Sequence, residues 1–280
     1  MNGLRAAIVR GARRTRRRGD GVRAPRSGDG YEFAQLRGYV EGDDPRRIDW
    51  AATARVGSLQ TRVFLEETSL VLAAFIDESA SMRVGRKRRL TDAADDALRA
   101  WFGAAESEDR TLRIVDDRIV NGTRPALHAR AARPFDLRRT LTFAAHVLPV
   151  GASLLAVLDG FDLPAEESPS AGPVDELLLA VAARCDATVL LARDPWYDGL
   201  PLRGLRRVRD AESGRSRLLY FGRRARERFV AAVAEREKRL TARFRNAGWR
   251  VGALDETDGR ASLDRAFGLI GALDFAPAGA

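Results

Sequence analysis

The 280-residue sequence predicts an α/β protein, a mostly parallel sheet with helices on both faces. Three observations carry this. The continuous apolar runs Ser69–Ile76, Leu154–Leu158 and Ala187–Ala192 read as strands buried on both sides. Segments of helical period separate them. Hydrophobic residues make up 45% of the chain, enough for one full core, yet no apolar run approaches the roughly 20 residues of a membrane span.

Residues 1–26 hold nine Arg against one acid, Asp20, so nearly all of the net charge of +9 sits there and the rest of the chain is close to neutral. With Arg13-Arg14-Thr15-Arg16-Arg17-Arg18 and little apolar content, this tail reads as disordered. It lacks the apolar stretch of a secretory signal, which argues against export. Two uses stay open: a solubilising extension, or an anchor for nucleic acid or an anionic membrane.

Asp44-Pro45 signals a helix start over Arg46–Arg55, with Asp at the N-cap and Pro at the first position. Leu59–Leu65 alternates like an extended strand, and the buried strand Leu70–Ile76 follows. Thr91 and Asp92 can cap a helix bearing Ala94, Leu98, Trp101 and Phe102 at helical spacing. Leu112–Val115 and Arg118–Val120 read as a strand pair around Asp116-Asp117.

Asp136–Val147 is helical, Leu154–Leu158 a strand, Val174–Arg184 a helix and Ala187–Ala192 a strand. The stretch from about 195 to 221 breaks the alternation and reads as a hairpin insertion with strands Leu205–Val208 and Arg217–Phe221. A long helix, Arg223–Asn246, ends at Gly248 and leads into strand Trp249–Leu254. Helix Leu263–Leu273 closes the fold. The lone cysteine, Cys185, follows an apolar helix and reads as a buried, inert thiol of a reducing compartment.

The chemistry is expected at the end of the first buried strand, where Asp77-Glu78-Ser79-Ala80-Ser81 follows the apolar run. Ligands of open α/β sheets bind at the carboxyl ends of strands. Asp77, Ser79 and Ser81 offer one carboxylate and two hydroxyls, hard oxygen donors suited to Mg²⁺, Mn²⁺ or Ca²⁺. The alternative is a loop whose Asp and Ser side chains bond local backbone.

The spacing of Asp77, Ser79 and Ser81 resembles the metal-ion-dependent adhesion site of von Willebrand factor A domains. A second segment narrows the resemblance. Glu32-Phe33, Leu36-Arg37, Tyr39, Gly42-Asp43-Asp44, Arg46, Ile48-Asp49-Trp50 and Ala54-Arg55 follow the hallmark of the bacterial "domain of unknown function 58" family. Asp194-Pro195-Trp196 and Asn246–Val251 resemble its C-terminal pattern.

The resemblance implies a von Willebrand A-like domain over 69–275, preceded by a family-motif segment, 27–68, packed on it. It implies Asp77, Ser79, Ser81 and Asp159 as the ion ligands, and Arg37, Gly42, Asp43, Asp44, Arg46, Asp49, Trp50 and Arg55 as a structural or interaction motif. There, Arg46 or Arg47 is near enough in sequence to pair with Asp49 or Asp43, and Trp50 supplies an apolar anchor. Where such domains supply a Thr from a second loop, this sequence has Phe135.

Members of the family are commonly encoded beside MoxR-type AAA+ ATPases, which implies such a partner. The expectation is therefore a cytoplasmic, non-enzymatic adaptor with a divalent-ion docking site. Two alternatives stand beside it: a nucleic-acid- or anionic-membrane-associated protein acting through residues 1–26, and a metal-dependent hydrolase.

Overall fold

The computed structural model describes residues 3–19, 32–65, 69–161, 163–164 and 168–271. They fall into two compact units, one of Met1–Gly19 with Leu70–Ala280 and one of Asp20–Ser69. No helix among the described residues is long and apolar enough to cross a membrane.

The first element corrects the sequence reading. Gly3–Gly19 form helix α1, where disorder was expected. Leu4, Ile8 and Ala12, spaced by four, are fully buried in the same apolar cluster as Leu155, Val157 and Leu190. Arg5 donates to the Ala104 carbonyl (3.0 Å) and pairs with Glu106 (2.7 Å) and Asp109. Gly11 allows close passage over Asp186, since a Cβ there would stand 1.9 Å from its carboxylate. Residues 20–26 of the expected tail lie outside the described residues.

In the smaller unit, β1 (Glu32–Gly38) and β2 (Gln60–Leu65) pair antiparallel; β1 was not predicted. The expected helix Arg46–Arg55 divides in two. A 3₁₀ turn, Pro45–Arg47, is capped by Asp44, which accepts the Arg46 N–H (2.9 Å). Helix α2 (Trp50–Val56) is capped by Asp49, which accepts the Ala52 N–H (2.9 Å). Between them Ile48 is extended and bridges to Thr61, which ends the first turn.

The larger unit contains, in order, β3 (Val71–Ile76), α3 (Leu90–Phe102), β4 (Arg110–Val115), β5 (Arg118–Asn121), α4 (Thr123–His128), α5 (Leu137–Val147), β6 (Ser153–Leu158), α6 (Ala171–Arg184), β7 (Asp186–Ala192), β8 (Gly204–Arg209), β9 (Ser216–Phe221), α7 (Arg223–Asn246), β10 (Arg250–Leu254) and α8 (Gly259–Ala266). Six strands form one sheet, β10-β7-β6-β3-β4-β5, parallel except for β5 at the edge; β8 and β9 form the separate hairpin. This is a doubly wound arrangement, with the strand order reversing between β3 and β6.

The continuous apolar strands bury both faces. On β3, Ala73 and Phe75 enter one cluster with Leu141, Leu178 and Trp249, while Leu72, Ala74 and Ile76 enter the other with Leu98, Trp101 and Leu263. Helix ends differ from expectation where capping chemistry competes. Thr91 and Asp92 lie inside the first turn of α3 rather than capping it. Helix α8 starts at Gly259 because Asp258 accepts the Ala261 N–H (2.8 Å), and it ends at Ala266, well short of Leu273. Helix α4 was not predicted.

Candidate functional site

Strands β3 and β6 are parallel neighbours with Ile76 opposite Val157, and the Asp77 N–H extends the pairing to the Val157 carbonyl (2.8 Å). Asp77 and Asp159 therefore emerge side by side from the two strands that flank the switch point. Each bends its loop in the same way. Asp77 Oδ1 accepts the Ser79 N–H, and Asp159 Oδ1 accepts the Phe161 N–H, both at 2.8 Å. Gly160 makes the second turn possible, with φ +75°.

These turns draw the expected ligands into one cluster. Ser79 Oγ and Ser81 Oγ are hydrogen-bonded at 2.9 Å, and the Ser81 hydroxyl donates to the Asp159 carboxylate. Both aspartates are buried. The Asp77 carboxyl is pushed up to about 7, first by burial and then by the negative charge of Asp159, against the opposing hydrogen bonds from Ser79.

Sequence reasoning missed two residues here. Arg236, on α7, donates to the Asp159 backbone carbonyl (2.8 Å) and lies over the Phe161 ring, 3.7 Å from its centroid. Glu212, in the turn between β8 and β9, accepts the Ser81 N–H at 2.6 Å. Both are remote in sequence, and only the path of the chain after β7 brings them in. A cavity of about 230 Å³ opens beside the cluster, walled by Val84, Leu90, Phe161 and Trp196 together with Asp159 and Glu212.

Phe135 offers no oxygen; it packs inward, stacked on Phe75 with centroids 6.5 Å apart. Thr140 and Thr142 turn their hydroxyls onto the helix carbonyls of Asp136 and Arg138. Among the described residues no three His, Cys, Asp or Glu side chains gather into a metal-holding group. The oxygen donors of this cluster are two carboxylates and two hydroxyls. That chemistry fits a hard divalent cation, whose charge would offset the repulsion between Asp77 and Asp159. Asp77, Ser79, Ser81 and Asp159 would hold it, leaving positions for water or an incoming carboxylate.

The motif in the smaller unit is arranged differently from expectation. Asp43 pairs with Arg37 (2.7 Å) and also accepts the Val40 N–H (3.0 Å), which lowers its pKa, Arg37 being the larger influence. Asp49 pairs with Arg62 (2.9 Å), and its pKa is lowered by the Ala52 N–H first and Arg62 second. Among the described residues neither aspartate pairs with Arg46 or Arg47: Asp43 holds the Val40 N–H and Arg37, and Asp49 caps α2 and holds Arg62. Gly42 has φ +104° in the intervening turn, and Arg55 bonds back to the Ala51 carbonyl (3.2 Å). Trp50 is 68% exposed.

Residues 35–141 match the model of the family described as "Protein of unknown function DUF58", a span that includes both the motif around Asp49 and the Asp77–Ser81 loop. The resemblance drawn from those residues is borne out. An uncharacterized protein of Mycobacterium tuberculosis (strain ATCC 25618 / H37Rv) is 28% identical over 234 residues, 79% of this chain and 73% of that one. An uncharacterized protein of Mycobacterium bovis matches with the same figures.

Among solved structures, the chain is similar to conserved hypothetical protein BatB from Bacteroides thetaiotaomicron, at 14% identity and TM-score 0.34 over 65% of this chain and 99% of that one. It is also similar to a von Willebrand factor type A protein from Catenulispora acidiphila, at 13% identity and TM-score 0.39 over 75% of this chain and 43% of that one.

Proposed function

We propose that this chain is a non-enzymatic docking module that holds a divalent cation at Asp77, Ser79, Ser81 and Asp159 and offers it to an acidic side chain of a partner protein. One observation carries the reading: two buried carboxylates converge with two hydroxyls at the switch point of the sheet, and the Asp77 carboxyl is driven up to about 7. A divalent ion turns that repulsion into attraction. The Ser79 and Ser81 hydroxyls bond to each other and Ser81 to Asp159, which keeps both oxygens within the cluster where a hard cation takes its ligands.

The partner assigned is a MoxR-type AAA+ ATPase, with the adaptor serving the assembly or activation of other proteins. This rests on the family resemblance alone. The test of the site is titration calorimetry with Mg²⁺ and Mn²⁺ on the full chain beside Asp77→Ala and Asp159→Ala. Saturable binding lost in both variants is expected. No binding by the parent would overturn the ion-dependent reading, and turnover of phosphoesters lost in Asp77→Ala would replace it with a hydrolase.

A second reading draws on one feature of α1. Arg10, Arg13 and Arg14 are exposed while Leu4 and Ile8 are buried, so the helix turns a basic face outward. Such a face suits nucleic acid or an anionic membrane. Salt-sensitive binding of DNA or anionic liposomes, lost in the triple Arg→Gln variant at those positions, would favour it.

A further inference from the structure

The docking reading leaves the β8–β9 hairpin without a role, although its tip reaches the site. Glu212 lies in the turn between the strands and accepts the Ser81 N–H at 2.6 Å, so the hairpin brings a carboxylate onto the Ser81 backbone, at the rim of the cluster, from 131 residues away. The turn is built to present it. Asp210 Oδ1 accepts both the Ser213 N–H and the Ser213 hydroxyl, each at 2.6 Å, and the Asp210 N–H closes onto the Arg215 carbonyl (2.8 Å).

The arm behind the tip is thinly supported. Strand β9 is exposed at every position but Phe221, and β8 at all but Gly204 and Val208. A two-stranded hairpin is marginal by itself, so contacts at the tip help to set where it rests. Glu212 is itself exposed, and its one bond to the site is a carboxylate on a backbone amide. Another carboxylate can replace it like for like.

We propose that Glu212 is an internal stand-in for a partner's acidic side chain. In the free protein the hairpin keeps the docking position at Ser81 closed, and a partner segment carrying a carboxylate beside an apolar residue exchanges with it. The occupant already seated defines the first half of that chemistry. The second half comes from the adjoining cavity of about 230 Å³, whose Val84, Leu90, Phe161 and Trp196 walls suit an apolar side chain. A tethered carboxylate competes at high effective concentration, so an external one binds with an apparent affinity reduced by the fraction of time the position is open.

This inference rests on the docking reading, and one experiment separates their failures. The full chain, its Glu212→Gln variant and an Asp77→Ala, Glu212→Gln double variant are titrated with Mn²⁺. Each is then titrated with the blocked peptide acetyl-Ala-Glu-Leu-Ala-amide and with its Gln counterpart. Glu212→Gln is expected to bind the Glu peptide at least about tenfold more tightly than the parent, to show no such gain for the Gln peptide, and to lose the gain in the double variant.

In the parent, adding the Glu peptide with Mn²⁺ is expected to speed amide hydrogen exchange across residues 204–221. Equal peptide affinity in parent and Glu212→Gln, with Mn²⁺ binding intact in both, overturns the stand-in role and leaves the ion site standing. Absence of Mn²⁺ binding in the parent overturns the docking reading and this inference together.

Discussion

Glu78 and Arg113 are tied to each other beneath the site loop: Arg113 Nη2 donates to Glu78 Oε1 at 3.1 Å, while Glu78 Oε2 accepts the Ala131 N–H at 3.0 Å. Arg113 is only 1% exposed, and its Nε and Nη1 find no acceptor among the described residues. Burial pulls its pKa down to about 10, and Glu78 is the largest influence resisting that fall. The residue between Asp77 and Ser79 is thus anchored away from the cluster, which leaves its two neighbours facing it.

Glu78→Gln should leave a buried guanidinium without a countercharge and cost about 3–5 kcal/mol in urea unfolding. Adding Arg113→Met to that variant should recover most of the loss, since removing both charges spares the desolvation of either. A loss under about 1 kcal/mol for Glu78→Gln would mean that water compensates the charge.

At the cluster itself, stability and ion binding pull in opposite directions. Asp77 is buried beside Asp159 at a cost that its neutral isostere avoids, while an Asn oxygen can still accept the Ser79 N–H. Asp77→Asn should therefore stabilise the ion-free protein at pH 8 by on the order of 1 kcal/mol and abolish Mn²⁺ binding. Thermal unfolding in the presence of a chelator reads the first effect, and calorimetry the second. A destabilised variant would show that the carboxylate charge is satisfied without an ion.

The parts that could be read from sequence were those fixed by local chemistry. The apolar runs gave β3, β6 and β7 within a residue or so, and the Asp-x-Ser-x-Ser spacing found the Asp77 loop because its turn is made by its own side chains. Asp159 was found through the family resemblance, and the parallel pairing of β3 and β6 puts its loop beside that of Asp77. Glu212 and Arg236 were not found, since nothing near either residue records that the hairpin and α7 fold back over the sheet. Ile48 broke the expected Arg46–Arg55 helix by pairing with Thr61, a contact across thirteen residues that capping rules do not include.

Cys185 tests how closed the core is at the end of α6. It is 3% exposed, and burial pushes its thiol up to about 12. At pH 8 the folded protein should hold almost no thiolate there, and Ellman's reagent should react only at the rate of global unfolding. Rapid labelling of the native protein would show that the α6–β7 junction opens locally.

Helix α1 shows why composition misled. Averaged over residues 1–26, nine arginines hide a stripe of Leu4, Ala7, Ile8 and Ala12 at helical spacing, which is what the fold buries. A disordered tail could be altered without consequence. An integral helix could not: Ile8→Ala should cost about 2–5 kcal/mol in denaturant unfolding. Arg13→Ala, on the exposed face, should change stability by no more than about 0.5 kcal/mol. Deleting residues 1–19 should uncover the apolar surface around Leu155, Val157 and Leu190 and give a protein that binds ANS. Equal stability of Ile8→Ala and the parent would return the segment to the status of a tail.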